Sequence, residues 1–412
     1  MNRTRVFNRV SYLLAGAVIL VLVVGVLHAF SRGGKDFAVF YEAWRLVLDG
    51  RGADIYRVSP DRYLYSPGFA WILAPLGLLP FQSALGLWCV AKVLALAAMM
   101  KELAKLWGNK GNIPTWIGVL AGALFITRPL LIDLEYGQVN TFILVTCVWA
   151  LCGHCDPKIS KQDLFRWGLV AFVAAGKLFP LPILTVPWLA AKGISAKKLR
   201  YERIGIMAGF SLAIGASLLS LGGEGTHQLL LDWFRALMDR GLPLESHNQS
   251  FTALLFHYLS GFPTPVISEG GAPFLFGTPW LSSGSIKMIS VAWMLGTLGF
   301  TLGWITAGPR KASAAWIAVT VGLLIIPSHL IWKPYFVMSL PLAIVLAQET
   351  LNRDLWKPGL GLFFVLFAGV NLTGFDFVGH HWAPHFEAAS ILLLMHLVLI
   401  LAVILVARKS TI

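Results

Sequence analysis

Residues 33–67 read GGKDFAVFYEAWRLVLDGRGADIYRVSPDRYLYSP, and they form the first polar segment after the first hydrophobic stretch. Apolar side chains recur in it at the spacing of one helix face: Phe37, Phe40, Tyr41, Trp44, Val47 and Leu48. This spacing predicts an amphipathic helix from about Asp36 to Leu48. Because the segment follows a membrane span, we expect the helix to lie in the interface, with Asp36 where water meets lipid. We interpret this carboxylate as the reaction centre.

The composition indicates an integral membrane protein. Of the 412 residues, 57% are hydrophobic and only 13% are charged, whereas about 25% of the residues of a soluble domain are charged. Apolar runs of spanning length alternate with short basic loops, which is typical of a polytopic helical membrane protein. We therefore predict an all-α fold in which residues 1–412 form a single integral membrane domain with about 12 transmembrane helices.

The positive charge of the chain is concentrated in a few regions. The formal net charge is +13, and 20 of the 33 Lys and Arg residues lie at the N-terminus and in short loops. With the six acidic residues found there, these regions carry a balance of +14, and the rest of the chain carries −1. This asymmetry is typical of cytoplasmic loops. We therefore expect both termini in the cytoplasm and no binding of nucleic acid.

The hydrophobic runs give the predicted order of spans. The first run is of full spanning length and no cleavage site precedes Gly33, so we expect a span rather than a signal peptide. Residues 31–66 then form the first outer loop, and residues 222–284 form a long outer loop that covers a cavity. The predicted spans are Ser11–Phe30, Tyr65–Lys105 with a proline-kinked entry, Ile113–Ile132, Gly137–Cys152, Phe165–Phe179, Leu181–Ala191, Ile204–Leu221, Ser285–Thr306, Ala312–Leu330, Tyr335–Gln348, Leu360–Thr373 and Phe386–Val406.

Polar side chains gather on the outer face of this topology. Polar groups at membrane depth are costly, so each needs a partner or a function. Gln138 and Asn140 begin a span, and they either satisfy its free backbone groups or bind a substrate. The outer-face set is Asp36, Arg128, Asp133, Glu135, Gln138, Asn140, Lys177, His247, Asn248, Gln249, His329 and Lys333.

Three of these positions have a structural and a functional interpretation. Asp36 is a helix N-cap, a catalytic acid, or both. Lys177 either extends its ammonium group to the interface or contacts a lipid-linked phosphate. The segment from His329 to Tyr335 either anchors a span by its aromatic rings or binds a phosphate leaving group through His329 and Lys333.

Eight short motifs occur in order along the chain. They are Lys35-Asp-Phe-Ala-Val-Phe-Tyr41, Gly52 with Ile55-Tyr56, Tyr65-Ser-Pro-Gly-Phe69, Ala74-Pro-Leu76, Tyr136-Gly-Gln-Val-Asn140, Lys177-Leu-Phe-Pro180, Asn248-Gln-Ser250 and Trp332-Lys-Pro-Tyr335. Together they resemble glycosyltransferase family 87 of the GT-C superfamily, which includes polyprenyl-phosphate-mannose-dependent α-1,2-mannosyltransferases.

The resemblance implies an outward-facing reaction centre, with Asp36 as general base and a donor sugar linked to polyprenyl phosphate. The residues expected to bind the donor phosphate are Lys177, His329, Lys333 and Arg128. The residues expected to bind substrate are Tyr41, Tyr65, Gln138, Asn140, His247, Asn248, Gln249 and Trp332. No clear cluster of metal ligands accompanies Asp36, so we expect no cofactor and no metal dependence.

We predict a membrane glycosyltransferase of a bacterial plasma membrane. It would move a sugar, in the first place mannose, to a glycolipid or glycan acceptor on the extracytoplasmic face by a single, inverting displacement. A lipid-linked glycan transporter or flippase would share the scattered intramembrane charge, but such proteins usually show internal repeats. An envelope glycan polymerase or ligase would share the topology and the outer loops.

Overall fold

The computed structural model describes residues 3–58, 63–107, 115–239, 244–265, 277–309, 313–352 and 356–408, and this part of the chain is helical without any strand. This confirms the all-α prediction. The α-helices are α1 (Arg3–Arg32), α2 (Lys35–Leu48), α3 (Pro67–Leu73), α4 (Phe81–Lys105), α5 (Thr115–Phe125), α6 (Thr127–Glu135), α7 (Asn140–Cys155), α8 (Gln162–Gly176), α9 (Val186–Leu189), α10 (Ala196–Gly215), α11 (Leu218–Asp239), α12 (Phe251–Leu259), α13 (Ser283–Ala307), α14 (Ser313–Leu323), α15 (Leu340–Asn352), α16 (Trp356–Asn371), α17 (Phe375–Ala388) and α18 (Ile391–Arg408).

Several helices are suited to cross a membrane. Within the described ranges, four helical segments are long and apolar enough to do so, and the count is seven if each of three bent helix pairs is one span. The bends lie between α5 and α6 (64°), between α10 and α11 (79°) and between α16 and α17 (78°). The prediction of about 12 spans stays a prediction.

The sixth predicted span, Leu181–Ala191, is not one continuous helix. It forms a 3-10 helix, Leu181–Thr185, followed by the four residues of α9. Pro182 and Pro187 lack the backbone N–H group that an α-helix interior needs, which explains the short elements. The predicted last span, Phe386–Val406, is also divided, because α17 ends at Ala388 and α18 begins at Ile391.

The helices form two compact units. Unit 1 comprises Met1–Leu22, Met100–Ile132 and Leu242–Ile412, and unit 2 comprises Val23–Met99 and Asp133–Gly241. In unit 1, α15 packs along α5 and is flanked by α14 and α18. The residues from Leu340 to Gln348 are all buried, as expected for a helix that is apolar on every side.

In unit 2, helix α2 matches the predicted amphipathic helix. Of the predicted apolar stripe, Phe37, Phe40 and Trp44 are buried within the protein, whereas Leu48 is exposed. The buried face packs on protein, because α2 contacts α3 and the 3-10 helix that follows it, and the Phe37 ring lies 5.8 Å from that of Trp88 in α4. Helix α2 is thereby fixed to the same framework that carries the polar residues described next.

Candidate active site

Asp36 is the second residue of α2, and its carboxylate is half-buried. Its backbone N–H and that of Phe37 donate to the carbonyl oxygen of Tyr136, at 3.0 and 3.1 Å. The cap position is Gly34, which makes no side-chain capping hydrogen bond, so the N-cap interpretation of Asp36 is wrong. The Tyr136 carbonyl satisfies two of the free N–H groups at the start of the helix, and the Asp36 carboxylate is left for other contacts.

Gly137 allows α2 to approach the connection between α6 and α7. Its φ angle is +65°, and a Cβ atom at this position would lie 2.5 Å from the Cβ of Phe37. Any side chain would therefore be strained and would collide with α2. The carbonyl oxygen of Gly137 accepts a hydrogen bond of 2.8 Å from the indole nitrogen of Trp88.

Gln138 joins the predicted acid to the predicted cation. Its Nε2 donates to Oδ2 of Asp36 at 2.6 Å, and its Oε1 accepts from Nζ of Lys177 at 3.0 Å and from the hydroxyl of Tyr65 at 3.2 Å. Lys177, the residue after α8, also donates to Oδ1 of Asn140 at 2.9 Å. The structure thus brings together these five residues from distant parts of the sequence of unit 2, and their chemical roles stay predictions.

Asp133, which precedes Gln138 in the sequence, forms a buried ion pair with Lys92. Lys92 Nζ is 2.6 Å from Oδ2 of Asp133, and both side chains are completely buried. The hydroxyl of Thr141 donates to the same carboxylate at 2.6 Å. This pair connects α4 with α6, and it gives Lys92 a structural role that the sequence did not indicate.

In unit 1, three of the predicted residues meet at one carboxylate, that of Glu387. The His247 Nδ1 atom lies 2.7 Å from it, Arg128 Nη2 lies 3.4 Å from it, and Lys333 Nζ is in direct contact. Arg128 also donates to the hydroxyl of Thr373 at 2.8 Å. We call Glu387, Arg128, His247 and Lys333 the Glu387 cluster.

Asn248 and Gln249 are fully buried and bind the backbone of unit 1. Asn248 donates from Nδ2 to the carbonyl of His329 at 3.1 Å and accepts at Oδ1 from the N–H of Ile331 at 3.1 Å. Gln249 donates from Nε2 to the carbonyl of Glu387 at 2.6 Å. These contacts fix the segment around His247; a role of the two amides in substrate binding stays a prediction.

The remaining predicted residues differ in exposure. His329 is exposed, whereas Trp332 is half-buried. Tyr41 is also half-buried, and its hydroxyl donates to the carbonyl of Leu79 at 2.8 Å. Of the residues expected to bind the donor phosphate, Lys177 belongs to unit 2, and Arg128, His329 and Lys333 belong to unit 1.

Glu387 is not among the site residues predicted from the sequence. A signal was available, because Glu387 is the only acidic residue in the predicted last span, Phe386–Val406. A carboxylate within an apolar span needs a partner or a function. Three of its partners were found by sequence, but the residue that joins them was not.

Comparison with known proteins decides the family. The sequence model of glycosyltransferase family 87 matches residues 63–327, which is more than half of the chain. The chain belongs to glycosyltransferase family 87. This confirms the predicted family, and the match includes Tyr65, Gln138 and Lys177 but neither Asp36 nor Glu387.

Three proteins with known names are similar to parts of this chain. A polyprenol-phosphate-mannose-dependent alpha-(1-2)-phosphatidylinositol pentamannoside mannosyltransferase of Mycobacterium tuberculosis is 27% identical over 229 residues, covering 52% of this chain and 49% of the relative. The protein of the same name from Mycolicibacterium smegmatis is 27% identical over 278 residues, covering 63% and 60%. An alpha-(1->3)-arabinofuranosyltransferase of M. tuberculosis is 28% identical over 180 residues, covering 41% of each.

The chain thus spans about half the length of the curated relatives it matches. No solved structure matches it. Membership of family 87 and the apolar helices together identify a multi-pass membrane protein.

Proposed function

We propose that this chain is a membrane glycosyltransferase that moves mannose from a polyprenyl-phosphate donor to a glycolipid or glycan acceptor. The observation that carries the proposal is the hydrogen-bond network Asp36–Gln138–Lys177, in which the amide of Gln138 bonds to both the carboxylate and the ammonium group. Transfer from a sugar phosphate needs a proton acceptor and a positive charge for the leaving group. The names of two mannosyltransferase relatives support this donor and a glycolipid acceptor.

The proposed reaction is a single displacement. The acceptor hydroxyl loses its proton to Asp36 as its oxygen forms a bond with the anomeric carbon. The bond from that carbon to the phosphate oxygen breaks, and the electron pair leaves with polyprenyl phosphate. Positioned proton transfer of this kind contributes about 10²- to 10⁴-fold to the rate. A β-linked donor gives an α-linked product, since the configuration inverts.

Lys177 stabilises the negative charge that develops on the departing phosphate. For unit 1, the proposed ligands of the donor phosphate are Arg128, His329 and Lys333. Tyr41, Tyr65 and Trp332 are proposed to contact the sugar or the acceptor. Because lysine and arginine supply the positive charge, we propose that the reaction requires neither a metal ion nor another cofactor.

We place the reaction on the extracytoplasmic face of a bacterial plasma membrane. The support is the distribution of Lys and Arg residues, which favours a cytoplasmic N-terminus. Helix α1 begins there and is long enough to cross the bilayer, so that α2 and Asp36 follow its far end.

The test compares two Asp→Asn variants of the same helix region. Asp36→Asn and Asp49→Asn proteins in membranes receive polyprenyl-phosphate mannose and phosphatidylinositol pentamannoside. Asp49 is the C-cap residue after α2, is exposed and pairs with Arg45, so its substitution is expected to leave the rate within about twofold. Asp36→Asn is expected to lower transfer at least about 100-fold and to leave donor binding intact.

Full transfer by Asp36→Asn would overturn the catalytic role of Asp36. Movement of the intact lipid-linked sugar across vesicles, with no transfer by the wild-type protein, would favour a flippase. Because one relative is named as an arabinofuranosyltransferase, the wild-type protein is also assayed with a polyprenyl-phosphate pentofuranose. A higher kcat/KM with this donor than with polyprenyl-phosphate mannose would show that the transferred sugar is a pentofuranose.

A further inference from the structure

The Glu387 cluster of unit 1 is not explained by the proton transfer proposed for Asp36. Its members come from four separate chain segments: α6, the polar stretch before α12, the 3-10 helix Lys333–Ser339 and α17. Three basic side chains meet one carboxylate, although a single partner would neutralise it. This excess of basic groups calls for a second anion or for a purely structural explanation.

The depth of the four side chains distinguishes these explanations. The side chain of Glu387 is 3% exposed, whereas those of Lys333, Arg128 and His247 are 11%, 13% and 26% exposed. The carboxylate is therefore the most deeply buried member, and each basic group keeps some contact with the surroundings. A second anion is able to approach the basic groups from their exposed sides while Glu387 stays in place.

Further hydrogen bonds hold Glu387 and Arg128 in place. The backbone carbonyl of Glu387 accepts from Gln249 at 2.6 Å. The backbone N–H of Arg128 donates to Oδ1 of Asn371 at 2.9 Å, and its Nη1 donates to Thr373. The Arg128 side chain has five N–H groups, of which one contacts Thr373 and one contacts Glu387, and the planar guanidinium group suits phosphate oxygens.

We propose that Glu387 is a positioning residue that holds Arg128, His247 and Lys333 for the phosphoryl group of a lipid-linked sugar donor. The proposal rests on the proposed function, since it assigns that donor to this enzyme. The two permanent cations Arg128 and Lys333 face the single negative charge of Glu387, so these side chains together retain positive charge. The exposed carboxylate of Asp376, on the same helix as Glu387, also interacts electrostatically with Arg128. Charge-assisted and bidentate hydrogen bonds then favour a phosphate over a neutral ligand.

The test measures donor kinetics for Glu387→Gln, Glu387→Asp and the control Glu349→Gln in full-length protein. Glu349 is a half-buried acid of α15 in the same unit, and its carboxylate accepts a hydrogen bond of 3.5 Å from the indole nitrogen of Trp107. For Glu387→Gln we expect the KM for polyprenyl-phosphate mannose to rise about tenfold, with kcat and the acceptor KM changed much less. Glu387→Asp restores part of the affinity, and Glu349→Gln behaves as wild type.

A lower donor KM in Glu387→Gln would show that the carboxylate competes with the phosphate, and an unchanged KM would show a structural role only; either result overturns the proposal. If Glu387→Gln does not yield folded protein, Glu387→Asp alone decides, with a donor KM raised about threefold as the expected result. An unchanged KM in that variant also overturns the proposal.

A binding experiment separates this proposal from the proposed function. Polyprenyl phosphate, polyprenol and inorganic phosphate are added to purified protein, and the thermal denaturation midpoint is recorded. Polyprenyl phosphate is expected to raise the midpoint of the wild type and of Asp36→Asn, and to raise that of the folded Glu387 variant less at the same concentration; polyprenol should have no effect. If inorganic phosphate raises the midpoint as much as polyprenyl phosphate does, the lipid-linked donor is the wrong ligand. If the wild type binds but does not transfer, only the proposed function fails.

Discussion

The Nε2 atom of Gln138 lies 2.6 Å from Oδ2 of Asp36 and donates a hydrogen bond to it. The opposite end of the same amide accepts from Lys177 and Tyr65. An amide donates only through nitrogen and accepts only through oxygen, so these contacts fix the orientation of Gln138 and, with it, that of the Asp36 carboxylate.

The first prediction concerns Gln138 itself. Replacing Gln138 by Ala removes the contacts to Asp36 and Lys177, and we expect kcat to fall about 100-fold because a misplaced base cannot reach its proton. The measurement is the initial rate at saturating donor. Gln228→Ala is the control, since Gln228 is exposed on α11 and bonds to Asp232. Equal kcat values for the two variants would contradict a positioning role of Gln138.

The second prediction distinguishes backbone strain from a steric clash of the added Cβ atom when a glycine with positive φ is replaced. Gly137 and Gly33 have φ angles of +65° and +75°, but only at Gly137 does an added Cβ meet another atom, Phe37 Cβ. Gly33→Ala is expected to cost about 1 kcal/mol and to keep activity. Gly137→Ala is expected to cost about 1–3 kcal/mol more and to impair transfer, because α2 must move. Thermal denaturation and transfer assays of the two variants provide the comparison.

The third prediction concerns the buried pair of Lys92 and Asp133. Lys92→Met leaves a buried carboxylate without its cation, which is expected to lower stability by about 3–5 kcal/mol. The double variant Lys92→Met/Asp133→Asn should recover much of this loss. Lys105→Met is the control, because Lys105 is exposed and its pair with Glu102 is worth at most about 1 kcal/mol. A single variant as stable as this control would mean that the pair is not needed for folding.

The fourth prediction is a pH dependence from His257 in α12. Burial lowers the pKa of His257 below its ordinary value of 6.5, although both ring nitrogens lie 2.9 Å from backbone carbonyls, those of Leu244 and Ala388. The unfolded chain therefore binds this proton more readily than the folded protein. Stability from this group is present above pH 6.5 and is lost as the pH falls towards the lower folded pKa.

The measurement is the thermal midpoint of wild type and His257→Asn between neutral and mildly acidic pH. The wild type should lose more stability on acidification than the variant does. Parallel curves for the two proteins would exclude His257 as the titrating group.

The fifth prediction concerns metal removal. Lys177 donates to Gln138 and Asn140 and is proposed to face the leaving phosphate, so chelation of divalent ions should change kcat by less than about twofold. The assay uses membranes treated with EDTA and then with added Mg²⁺ or Mn²⁺. A rate that disappears with EDTA and returns with one metal would show that a metal ion takes part.

Local pattern predicted the helices of this chain better than their breaks. The spacing of Phe37, Phe40 and Trp44 correctly predicted α2, because one helix face must be buried. Apolar residues continue across the bend between α5 and α6, and hydrophobicity alone does not distinguish a straight span from a bent one. Backbone geometry near proline and tertiary packing decide such bends.

The candidate site was predictable as residue types but not as contacts. Asp36, Gln138 and Lys177 were each singled out as polar groups next to apolar runs. The amide of Gln138 joins them only because of the way in which α2, α7 and α8 pack. The spacing of residues in one sequence does not predict this packing. Glu387 was missed for the same reason, since its three partners lie 54 to 259 residues away in the chain.

Most residues of the connection from α6 to α7 make a specific contact. Tyr136 offers its carbonyl to α2, Gly137 touches Phe37, Gln138 holds Asp36, and Asn140 starts the next helix while binding Lys177. One residue more or fewer here would move every later contact out of register with its partner. We therefore expect insertions and deletions between residues 136 and 140 to be far more damaging than most single substitutions there, because the contacts on both sides of this connection depend on its length.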